Sequence, residues 1–320
     1  MKMGFSTSLR SLSAFTVVSL LMILSCSHED EIIPEKYKWI ESALTPADMN
    51  IILPRVESDG ELYALGWKKN DGKVVAKFKN GAWETMAVLD GGSWISNFTV
   101  LNDTVYYATE TAIRRARNDF DEQLLETSYG YLETYQGKVF IVGRQIRYEG
   151  VEYSLIAYDG HSFQPIDQEP NQEYEPYSKT SAGKLFISGN PMKVYDGTNL
   201  STINFWGGFA NIDDEGSIYN WVNPSDSVTV INKLVNGKLQ SVGKEINTKA
   251  VITRMEFAHS TVFVKGKDPY LQETTTFYLD RDDEWHAIRT PYSILFLVNF
   301  EGDVYANTFD GRIIQLVPNE

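Results

Sequence analysis

Three observations predict an all-β chain folded as a seven-bladed β-propeller, each blade a four-stranded antiparallel sheet. The first is a short turn followed by an apolar strand. It returns at residues 60–66 (GELYALG), 103–108 (DTVYYA), 137–143 (GKVFIVG), 183–189 (GKLFISG), 216–221 (GSIYNW), 260–266 (STVFVKG) and 302–307 (GDVYAN). The second is the spacing: the copies recur with a mean period of about 40 residues, the span of one propeller blade. The third is a tight turn after most copies, followed by an aromatic residue or Leu and by an apolar residue three positions on. It reads Asn80-Gly81 with Trp83 and Met86, Asp159-Gly160 with Phe163 and Ile166, Asp196-Gly197 with Leu200 and Ile203, and Asn236-Gly237 with Leu239 and Val242. Asn-Gly and Asp-Gly supply the positive φ that a two-residue hairpin requires. Each unit therefore reads as strands a, b, c and d in antiparallel order. A β-sandwich, the competing all-β arrangement, rarely holds one period over seven units.

Taken in order, residues 1–25 read as an export signal. Lys2 and Arg10 form a basic start without acids, and residues 14–24 form an apolar run short for a bilayer span. The run ends in Leu24-Ser25-Cys26, which resembles the lipobox of bacterial lipoproteins. That resemblance implies cleavage before Cys26, acylation of this cysteine (palmitate included) and an outer-membrane address. Cys26 is the single cysteine. Its lipidation would leave the folded part without a disulfide, a thiolate metal site or a cysteine nucleophile. Residues 26–35 follow as an acidic tether. Its Ser27-His28-Glu29-Asp30-Glu31 cluster resembles the signal that sends such lipoproteins to the cell surface, the periplasmic face being the alternative. At about 3.3 Å per residue the tether keeps the domain within roughly 30 Å of the lipid.

Residues 36–320 make up the propeller domain. Residues 37–44 read as a d strand without a blade, and residues 311–317 as a c strand without a d strand. The N-terminal strand is therefore predicted to pair there and close the ring, which removes open sheet edges. Strand a falls at residues 51–55, 95–101, 131–135, 177–181, 209–212, 252–257 and 294–300. The Tyr-Asp-Gly turn with its following aromatic and apolar residues resembles the repeats of kelch and WD-repeat propellers across this whole domain. The glycine doublet that kelch units carry after strand b is missing, and no Trp-Asp dipeptide closes strand c as in WD units, so the likeness is one of architecture, without a match to a specific family.

In this arrangement the b–c and d–a loops share one face, and the a–b and c–d turns share the other. The first face collects rings: Trp67, Tyr148, Trp221, Tyr270 and Phe309 from b–c segments, and Trp94, Trp206 and Tyr292 from d–a segments. Rings gathered on one rim predict binding, because they stack on sugars or anchor protein partners. About half of them are expected to pack between blades instead. Trp39, Trp83 and Trp285, on d strands, are assigned to blade packing. Arg115 and Arg117 share a strand face by alternation. With Arg114, Arg144 and Arg147 in the same pair of units they would suit a carboxylate or sulfate, pairing with local acids being the alternative.

The formal charge of −14 argues against nucleic acid as a partner. Asp213-Asp214-Glu215 and residues 280–284 are acidic and could bind Ca²⁺, but they lack EF-hand spacing and sit at turns, so solvated turns are the favoured reading and no cofactor is implied. The four histidines, His28, His161, His259 and His286, do not cluster, and no Gly-x-Ser-x-Gly, zinc-type, Walker or sialidase motif occurs. Propeller enzymes can assemble carboxylates around the axis from several blades; Asp90, in a d–a loop, is the one candidate. The sequence thus favours a non-catalytic cell-envelope lipoprotein that binds a glycan or protein on its aromatic face. A scaffold subunit of an outer-membrane complex is the alternative, and a propeller lyase or hydrolase the third reading.

Overall fold

The computed structural model describes residues 36–89, 94–117, 120–128, 130–168, 178–188, 191–203, 205, 210–258, 261–267, 274–290 and 292–319. The export signal, Cys26, the acidic tether, Asp90, Trp206 and Tyr270 lie outside them, as does the side chain of Arg144. The compact unit runs from Tyr37 to Glu320 and is all-β, with no helix among the described residues.

All seven repeat copies form the second strand of an antiparallel unit: Leu62–Lys68, Thr104–Thr109, Lys138–Tyr148, Lys184–Ile187, Ile218–Ser225, Thr261–Lys267 and Asp303–Thr308. The first strands follow the sequence expectation closely. They are Met49–Val56, Ile95–Leu101, Tyr131–Tyr135, Ser178–Ser181, Asn211–Ile212, Val251–Ala258 and Ile294–Phe300. Several of these first strands touch those of neighbouring units, which places them innermost, around the axis of a β-propeller.

The count of separate blades departs from expectation. Five blades stand as sheets of their own, formed by units one, four, five, six and seven; units two and three share one eight-stranded sheet. The cause is the length of Lys138–Tyr148. Its first half pairs with the inner strand Tyr131–Tyr135, and the register then breaks between Val142 and Ile146. Beyond the break the same strand pairs with the outer strand of unit two, Phe120–Ser128, through Gln145↔Ser128, Ile146↔Thr127 and Arg147↔Glu126. The b–c hairpin of unit three thus covers an edge that unit two would otherwise leave open.

Closure by the N-terminal strand is present, in the expected antiparallel pairing but over a shorter stretch, since the strand ends at Glu41. Tyr37–Glu41 pairs antiparallel with Ile313–Pro318, from Tyr37↔Pro318 to Glu41↔Ile314. Two of its rings point inward. Tyr37 meets Tyr278 edge-on at 4.9 Å, and Trp39 is buried in the same cluster as Leu297 and Leu316. The core is divided into clusters, one between each pair of successive units. The cluster that joins unit seven to unit one contains Met49, Leu62, Phe300 and Ile313, with Phe78 and Trp83 against it. Each unit buries one face against the next, so the apolar stripe of a single sheet is satisfied only by its neighbour.

Turn chemistry is mixed. Asn80-Gly81 and Asn236-Gly237 hold positive φ at both residues, as expected of two-residue hairpins. Asp159 and Asp196 instead keep negative φ and fold their carboxylates onto the backbone. Asp159 Oδ1 accepts from the His161 and Ser162 amides at 2.8 Å, and Asp196 Oδ1 accepts from the Thr198 and Asn199 amides at 2.8 and 2.7 Å.

Candidate functional site

The register of the blades puts the b–c and d–a loops on one face and the short turns on the other. Of the rings expected on the loop face, three are open to solvent. Trp67 is 47% exposed, Trp94 68% and Phe309 80%. Hydrogen-bonded steps link their positions. The Phe309 turn leans on unit one: the Ile51 amide donates to the Gly311 carbonyl at 3.2 Å, and the Gly311 α-carbon lies against Asn50. Asn50 is the cross-strand partner of Trp67, and Trp67 that of Lys73. The Lys73 carbonyl accepts from the Leu89 amide at 2.9 Å, at the start of the loop that ends in Trp94. The three rings thus belong to adjoining loops of units seven, one and two.

The remaining rings divide. Tyr148 packs against the core between units two and three with its ring 5.2 Å from Phe163, and Trp221 packs against the core between units five and six. Tyr292 is covered by the Arg312 guanidinium, 4.9 Å above its ring. Trp39 is buried, and Trp83 and Trp285 lie half-buried against inter-unit clusters, as their d-strand positions imply. Smaller exposed apolar side chains extend the loop face around the ring: Val151, Val222 and Val251. The face also holds a concave site of about 740 Å³, lined by Asn223, Ser225, Ser227, Thr229 and Thr248 with Lys249 and Val251.

The arginines expected to share an oxyanion are separated. Arg115 lies two residues before the c–d turn of unit two, and its guanidinium pairs with Glu122 and donates to Tyr158 Oη at 3.2 Å. Arg147 lies on the b–c hairpin of unit three, at the opposite end of the blades, with its Nε 3.4 Å from Glu152. Arg114 is taken by Asp121 at 2.9 Å. Both acidic turns serve the backbone. Asp213 Oδ1 accepts from the Glu215 and Ser217 amides, and Asp280 Oδ1 from the Asp282 and Glu284 amides. No group of three metal-ligating side chains occurs among the described residues.

Sequence reasoning missed the charged group at the axis. Arg55, on the inner strand of unit one, donates through Nη1 to the carbonyls of Phe98 and Leu132, each at 3.0 Å. Its Nη2 meets the Glu133 carboxylate, and its Nε lies 2.9 Å from Glu57. Glu57 Oε2 accepts from Thr99 at 2.8 Å and from Thr134 at 3.2 Å, and Glu133 Oε1 accepts from the Thr180 amide at 3.2 Å. One guanidinium and two carboxylates therefore tie the inner strands of units one to four. Burial pushes Glu57 up to about 7, against the pull of Arg55. Burial opposes the Arg55 charge, but Glu133 and Glu57 outweigh it and hold the guanidinium above its usual range. A glutamate near 7 is suited to proton transfer. The Glu57 side chain, however, is only 1% exposed and is enclosed by two hydroxyls and Arg55. The contacts of the group are those of a clasp between inner strands. The available signal was a charge inside an inner strand, at Arg55 and Glu133, with Glu57 just beyond.

No known family profile matches the sequence, and no curated protein matches it. Solved structures do. Virginiamycin B lyase from Staphylococcus aureus superimposes with a TM-score of 0.58 at 10% identity, over 89% of this chain and 99% of that one. An extracellular domain from B. thetaiotaomicron gives a TM-score of 0.54 at 12% identity, over 88% of this chain and 42% of that one. The computationally designed Ika8 protein gives 0.51 at 14% identity, over 84% of this chain and 83% of that one. At these identities the chain shares with them the β-propeller fold.

Proposed function

We propose that this chain is an exported, lipid-anchored protein of the cell envelope that docks a macromolecular partner on its b–c and d–a loop face, without catalysis. The observation that carries the reading is the concentration of exposed large apolar side chains on that face, from Phe309, Trp67 and Trp94 round to Val151, Val222 and Val251. Apolar side chains left in water on one face of a folded domain are the usual mark of an interaction surface. Their spread round the ring favours an extended protein surface, which is the scaffold form of the reading. A glycan is the second reading, favoured by the amide- and hydroxyl-lined concavity at Asn223, Ser225, Thr229 and Thr248. Anchoring at the outer membrane is read from the Leu24-Ser25-Cys26 pattern, and exposure at the cell surface from the acidic residues after it, the periplasmic face being the alternative. The reaction of the structurally similar lyase is not carried over, since at 10% identity the likeness is one of fold.

The test is capture of the lipidated protein from its native envelope in mild detergent, in wild-type form and as Trp67→Ala with Trp94→Ala. A stoichiometric protein recovered with wild type and lost with the variant supports the scaffold form. Recovery alone, together with retardation in polysaccharide gels that the variant loses, supports the glycan form. Identical behaviour of variant and wild type in both assays removes the face from function.

A further inference from the structure

A second cavity opens on the opposite face, at the seam between units two and three, where the a–b and c–d turns lie. Its volume is about 410 Å³, within the range of small-molecule sites. Tyr106, Arg115, Arg117 and Phe120 form one wall. Tyr106 pairs with Arg115, and Arg115 with Glu122 beside the lining; one step nearer the turn, Arg117 pairs with Phe120. Asp159, Gly160 and His161 of the next unit's turn form the other wall.

The charges in and beside this cavity are unequally engaged. Glu122 is held by Arg115. Asp159 is turned back on its own loop, where the His161 and Ser162 amides and the Ser162 hydroxyl hold it, keeping its pKa down near 2. Arg115 uses Nε and Nη1 on Glu122, Tyr158 and the Gly160 carbonyl. Arg117 is exposed and has no ion pair or hydrogen bond to any described residue, and the cross-strand ring next to it, Phe120, is 53% exposed. In a chain of net charge −14, a guanidinium with no partner among the described residues, beside an open phenyl ring in a concave seam, is the reverse of the general surface. A guanidinium fork is matched by a carboxylate or phosphate, and an aromatic face by a flat apolar group.

We propose that this seam binds a small anion carried on an aromatic ring, an aryl carboxylate or aryl phosphate. Arg117 pairs the anion, and Phe120 packs against the ring. The site lies on the face away from Trp67, Trp94 and Phe309, so its failure leaves the docking reading untouched, and the reverse holds too.

The test is titration of the folded protein with phenyl phosphate, benzoate and inorganic phosphate at millimolar concentration, followed by calorimetry and by NMR shifts of Phe120 and His161. Phenyl phosphate is expected to bind more tightly than inorganic phosphate. Arg117→Ala is expected to weaken it by about tenfold or more, the size of a lost charge-assisted contact. Arg117→Lys is expected to recover only part of that loss, because the charge remains and the fork does not. Phe120→Ala is expected to remove the preference for the aryl form. Because Arg117 and Phe120 are exposed, these variants keep the fold, which circular dichroism checks. Absence of binding by both aryl anions, or equal binding by wild type and Arg117→Ala, overturns the proposal.

Discussion

At the scale of single residues, the axial clasp makes two substitutions opposite in effect. Among the described residues, Arg55 is the one positive ion-pair partner of both Glu57 and Glu133. Arg55→Met would leave two carboxylates facing each other in a water-poor axis, and its expected cost is about 3–5 kcal/mol, typical of breaking a buried ion pair from one side. Glu57→Gln keeps the acceptor for Thr99 and Thr134 and leaves Arg55 with Glu133, so it is expected to be mild at neutral pH. The pair also sets a pH dependence. Glu57 holds its proton up to about 7 in the folded state, against 4.5 for a free glutamate. Between those values the folded state binds more protons than the unfolded one, so this residue makes stability fall as pH rises across that window. The size is on the order of 3 kcal/mol. Asp159, depressed to about 2, acts with the opposite sign: stability is lost as pH falls below the ordinary carboxylate range. Urea midpoints measured from pH 4.5 to 7 check the first effect. The slope should flatten in Glu57→Gln, and an unchanged slope would show that Glu57 is not its source.

At the scale of strands, the closing seam between unit seven and unit one carries the most testable constraint. Gly311 has φ +82°, and a β-carbon there would lie 2.8 Å from Asn50 Cβ and 2.9 Å from Asn50 Cα. Gly302 has a similar φ of +89° but nothing within 4 Å. Gly302→Ala should therefore cost only the left-handed backbone penalty, about 1 kcal/mol. Gly311→Ala adds a backbone clash and should cost about 2–3 kcal/mol. Comparing the two unfolding midpoints separates conformation from contact. Deleting residues 36–41 should lower the midpoint further, since it removes Tyr37 and Trp39 from a buried cluster and exposes the edge of Ile313–Pro318. This closure was legible in the sequence because a strand without a blade stood at one end and a blade without a strand at the other. The joined sheet of units two and three was not. Its cause is a register break between Val142 and Ile146; the sequence turns polar there, at Gly143-Arg144-Gln145, but nothing local says which strand the second half pairs with. The clasp was illegible for a similar reason: alternation tells which way Arg55 and Glu133 leave their strands, but the meeting of four inner strands about 40 residues apart is a property of the closed ring.

At the scale of the whole molecule, the two faces of the propeller differ in kind. The turn face is dense in acids that cap their own loops, Asp159, Asp196, Asp213 and Asp280 among them. The loop face carries Trp67, Trp94 and Phe309 in the open. The sequence located this face correctly through the order of strands, but it could not sort its rings. Tyr148 and Trp221 look like Trp67 in sequence, yet they are drawn into the inter-unit cores, because only the packing of one sheet on the next decides which ring is covered. That sorting makes a sharp prediction. Replacing Trp67, Trp94 or Phe309 by Ala removes side chains that bury little in the free protein, so each should change stability by no more than about 0.5 kcal/mol. Replacing Trp221, which packs against the core between units five and six, should cost about 3 kcal/mol of stability. A partner docked through apolar rings should also stay bound as salt rises to about 0.5 M, where exposed charge pairs are largely screened. A partner that leaves at that salt and is indifferent to Trp67→Ala and Trp94→Ala would instead be held by charges, and the acidic turn face would then be the surface to which it binds.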